Sequence, residues 1–147
     1  QVLREAVVGL EPLLSGKKIG VQIDIPDSGH TRLVAIGDRE AISRVVYNIL
    51  TNAIQFTPKE GTIAITSRMA RNKQLEVSIE DSGPGINEND IGKVFDRFYK
   101  QDRSRTSKGA GLGLFICRAI LSAHGQKITV TKSELGGARF TFTLAAP

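Results

Sequence analysis

The chain has 147 residues, of which 40% are hydrophobic and 24% charged, so length and composition predict one globular domain with a real core. Its longest apolar runs fall well short of a membrane span. The formal net charge is +5, but lysine and arginine are scattered and aromatic residues make up only 5%, which argues against a nucleic-acid surface. The single cysteine, Cys117, cannot form an internal disulfide, and we expect a buried, reduced thiol.

The first half of the chain shows two strand patterns between two helical ones. Apolar residues at helical spacing predict a helix over residues 2–14, and alternation predicts a strand over residues 21–25. Residues 33–36 predict a short second strand. Asp38 is a good N-cap for the next helix, whose apolar stripe ends before Pro58.

Strand patterns dominate the second half. Residues 62–69 and 75–81 alternate between apolar and polar side chains, which is typical of antiparallel strands covered on one side. Residues 128–132 and 138–144 predict a final hairpin. With the helices, these strands predict an α+β two-layer sandwich formed by a single domain, residues 1–147.

Three further segments separate those strands. Residues 88–95 predict a short helical segment. Residues 100–110 contain no apolar residue except one alanine, so we expect a mobile loop of the kind that closes over ligands. The helix predicted over residues 111–123 is apolar on nearly every side and should be central, with Gly125 as its C-terminal stop.

Two asparagines lie one turn apart on the polar face of the helix that follows Asp38. Asn48 and Asn52 are neighbours on that surface, and asparagine is a poor residue for a helix interior. A solvated polar face explains the spacing at least as well as a site does. In a site, their amide oxygens would face a cation while their NH₂ groups reach phosphate oxygens.

A carboxylate and two glycines follow the strand at residues 75–81. Asp81 precedes Gly83 and Gly85, and such a sequence is common in ordinary turns. The alternative is a carboxylate that accepts a hydrogen bond from an exocyclic amine, with glycines that let the backbone approach a flat ring.

A second group of glycines precedes the last predicted helix. Gly109, Gly111 and Gly113 would let backbone N–H groups crowd a phosphate at the positive end of that helix. The spacing does not match the dinucleotide-binding fingerprint, and the chain has no Walker A sequence, so both of those nucleotide folds are disfavoured.

In this order and spacing, the motifs resemble those of the catalytic ATP-binding domain of bacterial sensor histidine kinases. That domain has the Bergerat fold, shared with DNA gyrase, a large chaperone class and mismatch-repair ATPases. Residues 48–53 resemble the family's asparagine box, 81–86 and 109–114 its two glycine boxes, and 94–100 its phenylalanine box. The resemblance implies a mixed, largely antiparallel five-stranded sheet, covered on one face by about three helices, with a flexible ATP lid.

The resemblance also implies roles for single residues. Asn48 would be the magnesium ligand and, with Lys100, a catalytic residue, and Asp81 would accept a hydrogen bond from the adenine N6 amine. The nucleotide-binding residues that it implies are Asn48, Asn52, Gln55, Asp81, Gly83, Gly85, Ile86, Tyr99, Lys100, Lys108, Gly109, Gly111, Leu112, Gly113 and Leu114. Gln55 departs from the family, because many members carry lysine there, and Lys100 stands where they often have arginine.

The implied function is binding of ATP with Mg²⁺ and transfer of its γ-phosphoryl group to a histidine on a separate dimerisation and phosphoacceptor domain, indirectly serving a response regulator. His30 lies in a predicted turn and His124 at a helix end, so neither suits the acceptor. We therefore expect a monomeric fragment of a longer kinase that is itself a homodimer. We expect this domain to be cytoplasmic and to have no nucleic acid as partner, and the sequence leaves open whether the full-length protein has a membrane anchor. The alternatives are another Bergerat-fold ATPase, a protein serine kinase, or a non-catalytic nucleotide-sensing docking domain.

Overall fold

The computed structural model describes residues 1–26, 33–99 and 111–147. The predicted lid, residues 100–110, lies outside them. In the described ranges the helices are α1 (Val2–Gly9), α2 (Glu11–Gly16), α3 (Arg39–Phe56) and α4 (Gly113–Ala123). The strands are β1 (Gly20–Asp24), β2 (Thr62–Ala70), β3 (Gln74–Asp81), β4 (Ile128–Lys132) and β5 (Ala138–Ala145).

The five strands form one mixed sheet, as predicted, and their order in the sheet is β1-β2-β3-β5-β4. β1 runs parallel to β2, and every other neighbouring pair is antiparallel. The pleat gives the sheet an apolar face, because the register aligns alternate apolar residues in rows across the strands. One such row is Ile23, Ile65, Ile79, Phe140 and Val130. The three central members of this row are at most 1% exposed, so the core lies over the middle of the sheet.

The long helix α3 joins the sheet to the other helices. Its apolar stripe buries seven residues, and it packs against α1, α4 and β3. The predicted N-cap is confirmed, since the side chain of Asp38 accepts a hydrogen bond of 3.0 Å from the Ala41 N–H. At the other end of α3, the Lys17 ammonium donates to the carbonyl oxygens of Ile54 and Gln55, at 2.8 and 3.2 Å. Both ends of α3 are therefore fixed by polar contacts.

The single helix predicted over residues 2–14 is wrong, because the structure breaks it into α1 and α2 at Leu10. Pro12 lies in the first turn of α2, where its missing N–H costs nothing. Within a continuous helix the same proline would remove a hydrogen bond and clash with the preceding turn. The break also turns Leu10 inward, and this residue is 3% exposed.

Two other predicted elements are also wrong. Residues 33–36 form no strand and only touch the end of β5, where the Ile36 N–H donates to the Ala145 carbonyl at 2.7 Å. Residues 88–95 form successive turns, each closed by a backbone hydrogen bond between residues three apart, in place of the predicted helical segment. That stretch buries only Val94 and Phe95, which is too little apolar surface to stabilise a regular helix.

The helix predicted over residues 111–123 begins two residues later, because Gly111 has a φ of +72° that no α-helix accommodates. It is also less central than expected. Cys117 and Leu121 are its fully buried residues, while Arg118 and Ala119 are exposed. The predicted stop at Gly125 is confirmed by its φ of +69°. None of the helices in the described ranges is long and apolar enough to cross a membrane.

Candidate functional site

Asp81 lies at the carboxyl end of β3, on the face of the sheet that the helices cover. It alternates with Ile79 and Val77, which places a carboxylate where the pattern otherwise requires an apolar side chain. The residue is 3% exposed. Burial raises the pKa of its carboxyl group, although hydrogen bonds from the Gly83 and Ala138 N–H groups act in the opposite direction. A buried carboxylate at a strand end is a costly feature, and such features concentrate at functional sites.

The two oxygens of this carboxylate have different surroundings. Oδ1 accepts hydrogen bonds from the backbone N–H groups of Gly83, at 2.9 Å, and Ala138, at 3.3 Å. Oδ2 has no hydrogen-bond partner within the part of the chain that the structure describes. The backbone therefore orients the carboxylate through one oxygen and leaves the other to accept a hydrogen bond from a ligand.

Glycines surround this carboxylate because there is no room for side chains. A Cβ at Gly137 would overlap the Asp81 carboxylate, and the Gly137 N–H donates to the Asp81 carbonyl oxygen at 3.1 Å. A Cβ at Gly83 would come within 2.7 Å of the Phe56 carbonyl oxygen. Gly85 has a φ of +77°, which also favours glycine. The first glycine motif thus packs against the end of α3 and the start of β5.

Asn48 connects α3 to the second glycine motif. Its side-chain NH₂ donates to the Gly113 carbonyl oxygen at 3.4 Å, a long hydrogen bond, and the side chain is half-buried. This contact directs the NH₂ group toward α4 and leaves the Asn48 Oδ1 as a candidate ligand for a hard cation. Asn52 lies one turn further along the same face and is also half-buried.

The beginning of α4 has the features of an anion site. No side chain of the described residues caps it, so the N–H groups of its first turn are available to a ligand. Gly111 precedes it, and a Cβ there would come within 2.7 Å of the Phe98 carbonyl carbon. The Phe98 N–H in turn donates to the Gly111 carbonyl oxygen at 3.1 Å. The phenylalanine motif and the second glycine motif are therefore in direct contact.

α3 brings the two glycine motifs into one site. Asn48 contacts Gly113, and Phe56, two turns later, contacts Gly83. The eight helical steps from Asn48 to Phe56 span about 12 Å. The site thus has a carboxylate acceptor at one end and an amide with a helix N-terminus at the other, which suits an elongated ligand with an amine and an anionic group.

Several other predicted residues lie along this site. Ile86 and Tyr99 are partly buried and pack against the core, and Leu112 and Leu114 flank the start of α4, both half-buried. Burial, and next the charge of Asp90, raise the pKa of Tyr99. Gln55 is different, because its side chain is exposed and makes no hydrogen bond with another described residue, while its carbonyl oxygen accepts one from Lys17.

The predicted residues Lys100, Lys108 and Gly109 lie outside the described residues. Two contributors were missed by sequence reasoning. The N–H groups of Gly137 and Ala138 hold Asp81, although their segment was interpreted mainly as a hairpin turn. The adjacent pair of glycines was the available signal.

The donor set bears on how a metal ion would be held. Among the residues that the structure describes, no group of three histidine, cysteine or acidic side chains could form a metal site. Mg²⁺ retains several waters and is commonly bound through one or two protein oxygens together with substrate phosphates. An asparagine oxygen beside a helix N-terminus fits that mode, in which the nucleotide supplies most of the ligands.

Comparisons with known proteins agree with this geometry. The family model described as "Histidine kinase-, DNA gyrase B-, and HSP90-like ATPase" matches residues 37–147. The adaptive-response sensory kinase SasA of Synechococcus sp. (strain CC9311) is 36% identical over 144 residues, covering 97% of this chain and 37% of that protein. The signal transduction histidine-protein kinase BaeS of Escherichia coli (strain K12) is 32% identical over 154 residues, covering 96% of this chain and 32% of that protein.

Solved structures give the same result. The catalytic domain of the histidine kinase ThkA, in a nucleotide-free form, matches with a TM-score of 0.82 and 35% identity, covering 99% of this chain and 93% of that one. The mycobacterial sensor histidine kinase MprB matches with a TM-score of 0.82 and 26% identity, covering 97% and 92%. The chain spans about a third of the length of the curated relatives that it matches. It belongs to the histidine kinase-, DNA gyrase B- and HSP90-like ATPase family, as the catalytic ATP-binding domain of a sensor histidine kinase.

Proposed function

We propose that this domain binds ATP with Mg²⁺ and donates the γ-phosphoryl group to a histidine on a dimerisation and phosphoacceptor domain, as one domain of a longer kinase in two-component signalling. The observation that carries the proposal is the Asp81 carboxylate, which is buried and held by two backbone N–H groups through one oxygen only. A nucleotide-binding ATPase needs such an acceptor to select adenine by its exocyclic amine.

Adenine recognition would rest on Asp81 and the glycines near it. Oδ2 would accept a hydrogen bond from the N6 amine, and the absence of side chains at Gly83 and Gly137 lets the backbone pack closely around the carboxylate that receives it. Because Oδ1 is already bonded to the Gly83 and Ala138 N–H groups, the carboxylate is oriented before the nucleotide arrives. Nucleotide binding therefore does not have to order this side chain, and the entropy loss of ordering does not reduce the affinity.

The triphosphate would lie along α3 toward the N-terminus of α4. There the first-turn N–H groups of α4, which no described side chain caps, would bind phosphate oxygens, and Asn48, whose NH₂ group donates to Gly113, would present its Oδ1 to a magnesium ion. The ion would supply neutralisation of the phosphate charge that develops during transfer. Lys100 and Lys108 would add positive charge from the predicted lid. Catalysis consists of positioning and charge neutralisation, and no side chain of this domain acts as a nucleophile.

The acceptor histidine would come from outside this domain. Both ring nitrogens of His124 are engaged, since Nε2 accepts from the Asp38 N–H at 3.2 Å and Nδ1 lies 2.8 Å from the Ile120 carbonyl oxygen. The hydrogen bond to Nε2 requires the tautomer with its proton on Nδ1. His124 therefore joins the end of α4 to the beginning of α3. We further propose that the acceptor domain makes the full-length kinase a homodimer and that a response regulator receives the phosphoryl group.

Phosphotransfer to a supplied acceptor tests the proposal. The protein is incubated with [γ-³²P]ATP and Mg²⁺, with and without the dimerisation and phosphoacceptor domain of its own kinase. We expect label on the acceptor that is stable in base and labile in acid, as phosphohistidine is. Asn48→Ala should abolish the label, whereas Glu40→Gln, at the exposed start of α3, should retain it.

The alternatives give different results in the same assay. Label that survives acid but not base indicates transfer to serine. Nucleotide binding by the domain without label on the acceptor indicates a nucleotide-sensing docking domain. Failure to bind ATP with or without Mg²⁺ contradicts the site itself.

A further inference from the structure

The turn between β4 and β5 lies beside Asp81 and is closed by its own backbone. The Ser133 N–H donates to the Gly137 carbonyl oxygen at 2.8 Å, and the Gly136 N–H donates to the Ser133 carbonyl oxygen at 3.1 Å. Gly136 has a φ of +102°, a conformation that favours glycine. The turn leads directly into Gly137 and Ala138, whose N–H groups donate to Asp81. The shape of the β4–β5 turn therefore sets where those two donors point.

The side chain of Ser133 adds two further contacts to this turn. Its hydroxyl accepts a hydrogen bond from the Leu135 N–H at 3.0 Å and donates one to the Glu80 carboxylate at 2.9 Å. The residue is 3% exposed, so its hydroxyl is shielded from water. One contact closes the turn on itself, and the other joins the turn to β3 at the residue before Asp81. The contact to β3 needs only an oxygen at position 80, so Glu80→Gln preserves it.

These contacts put the β4–β5 turn on both faces of β3. Because side chains alternate along a strand, Glu80 and Asp81 point to opposite faces of the sheet. Ser133 bonds to Glu80 on the open face, and Ala138 bonds to Asp81 on the covered face. The bond between Ser133 and Glu80 therefore opposes a movement of the turn away from Asp81.

The hold on the Asp81 carboxylate is sensitive to such a movement. The Ala138 N–H donates to Oδ1 at 3.3 Å, a long hydrogen bond, whereas the Gly83 N–H donates to the same oxygen at 2.9 Å. A Cβ at Gly137 would overlap Oδ1, so the turn packs directly against the carboxylate. A small displacement of the turn would break the longer bond. Oδ1 would then be held by the Gly83 N–H alone, and Oδ2 would lose its fixed direction.

We propose that Ser133 is a positioning residue for recognition of the base. Its hydroxyl fixes the β4–β5 turn and, through the Ala138 N–H, sets the direction in which the Asp81 Oδ2 meets the N6 amine of adenine. Ser133 acts through Asp81 and does not contact the nucleotide. This role rests on the proposed nucleotide site. Ser133 should affect the selection of adenine and not the effect of Mg²⁺, because the phosphates would lie at the beginning of α4, at the other end of the site.

Calorimetric titration of Ser133→Ala with ATP and with ITP tests this role. The affinity for ATP should fall about 3- to 10-fold, and the preference for ATP over ITP should fall by a similar factor. The change in ATP affinity between Mg²⁺ and EDTA should remain that of the wild type. Ser133→Thr retains the hydroxyl and should restore the preference for ATP. If Ser133→Ala does not fold, Glu80→Ala breaks the same contact from β3 and should give the same losses.

The matched control is Ser78→Ala. Ser78 is also a buried serine, and its hydroxyl lies 3.0 Å from that of Thr141, on the open face and away from Asp81. Ser78→Ala should therefore lower the stability of the fold but leave the preference for ATP over ITP unchanged. A merely structural role of Ser133 would give this same pattern in Ser133→Ala.

A double-mutant cycle with Asp81→Asn completes the test. In Asp81→Asn protein, adding Ser133→Ala should not weaken ATP binding further, because the oxygen that Ser133 positions is already gone. The role of Ser133 is wrong if Ser133→Ala lowers stability but retains the wild-type preference for ATP over ITP, or if the two substitutions weaken ATP binding additively. If Asp81→Asn itself binds ATP as the wild type does, both the nucleotide site and the role of Ser133 are wrong. A loss in Asp81→Asn without one in Ser133→Ala contradicts the role of Ser133 alone.

Discussion

Replacing Asp81 with asparagine separates its role in binding from its effect on folding. The change retains the shape of the side chain, and Oδ1 can still accept from the Gly83 and Ala138 N–H groups. It replaces Oδ2, which has no hydrogen-bond partner among the residues that the structure describes, by an NH₂ group that would face the adenine amine. Two donors then oppose each other in place of a charge-assisted hydrogen bond.

The expected loss of affinity follows from that exchange. A hydrogen bond to a charged group contributes about 1.5–3 kcal/mol, so Asp81→Asn should weaken ATP binding roughly 10- to 150-fold. The stability of the fold should respond to Asp81→Asn in the opposite direction. Because burial raises the folded-state pKa of Asp81, the native state binds a proton more tightly than the unfolded chain does. The contribution of this group to stability is therefore greatest below its unfolded pKa, and it declines as the pH rises through the folded pKa.

Two measurements on the same variant test this reasoning. Isothermal titration with a non-hydrolysable ATP analogue should show the loss of affinity, and the preference for ATP over ITP, which lacks the 6-amino group, should fall by a similar factor. Thermal unfolding without nucleotide at pH 7 should show Asp81→Asn to be at least as stable as the wild type. Glu80→Gln is the matched control, because it makes the same change of charge at the next residue, on the other face of β3. An affinity within twofold of the wild type, or an unchanged preference for ATP, would refute the role of Asp81.

Three further predictions concern α3 and α4. Asn48→Ala should make ATP affinity the same in Mg²⁺ and in EDTA, while the control Thr51→Ala retains the dependence on Mg²⁺. If ATP affinity of Asn48→Ala still depends on Mg²⁺, Asn48 is not a ligand of the ion. His124→Ala removes the link between the Asp38 N–H and the Ile120 carbonyl, and it should lower the free energy of unfolding in urea by about 1–2 kcal/mol. An unchanged midpoint of urea unfolding would contradict that link. Cys117 is fully buried, and burial raises the pKa of its thiol to about 12, although the neighbouring Asn48 amide acts against this. It should therefore resist alkylation at pH 8 until the protein unfolds, and rapid labelling of folded protein would show that α4 opens.

The parts of the site that could be predicted are those whose chemistry is local. Asp81 interrupts an apolar alternation and precedes two glycines, so its strand end was visible in the sequence. The roles of the Gly137 and Ala138 N–H groups could not be predicted in this way. These residues come more than 50 positions after Asp81 and reach it only through the pairing of β3 with β5. The reach of Asn48 to Gly113 likewise depends on how α3 packs against α4.

The errors in the fold have a common physical origin. Apolar spacing showed which residues are buried, but not whether the backbone stays regular between them. Leu10 fits the helical stripe of residues 2–14, yet Pro12 ends the helix there. Ile36 fits a strand pattern, but its segment forms only one isolated bridge, with Ala145 at the end of β5. The last helix is apolar on nearly every side, yet α4 fully buries only Cys117 and Leu121, and it packs mainly against α3.

The claim that α3 joins both glycine motifs into one nucleotide site is tested most directly by mapping a non-hydrolysable ATP analogue with Mg²⁺ onto the protein by NMR. We predict large shifts of the backbone amides of Gly83, Gly113 and Leu114 and of the side-chain amide of Asn48, all with one dissociation constant. The amides of Ser67 and Leu75, at the opposite end of the sheet, should not move. Shifts confined to one glycine motif, or centred on the Ser67 end, would contradict the account.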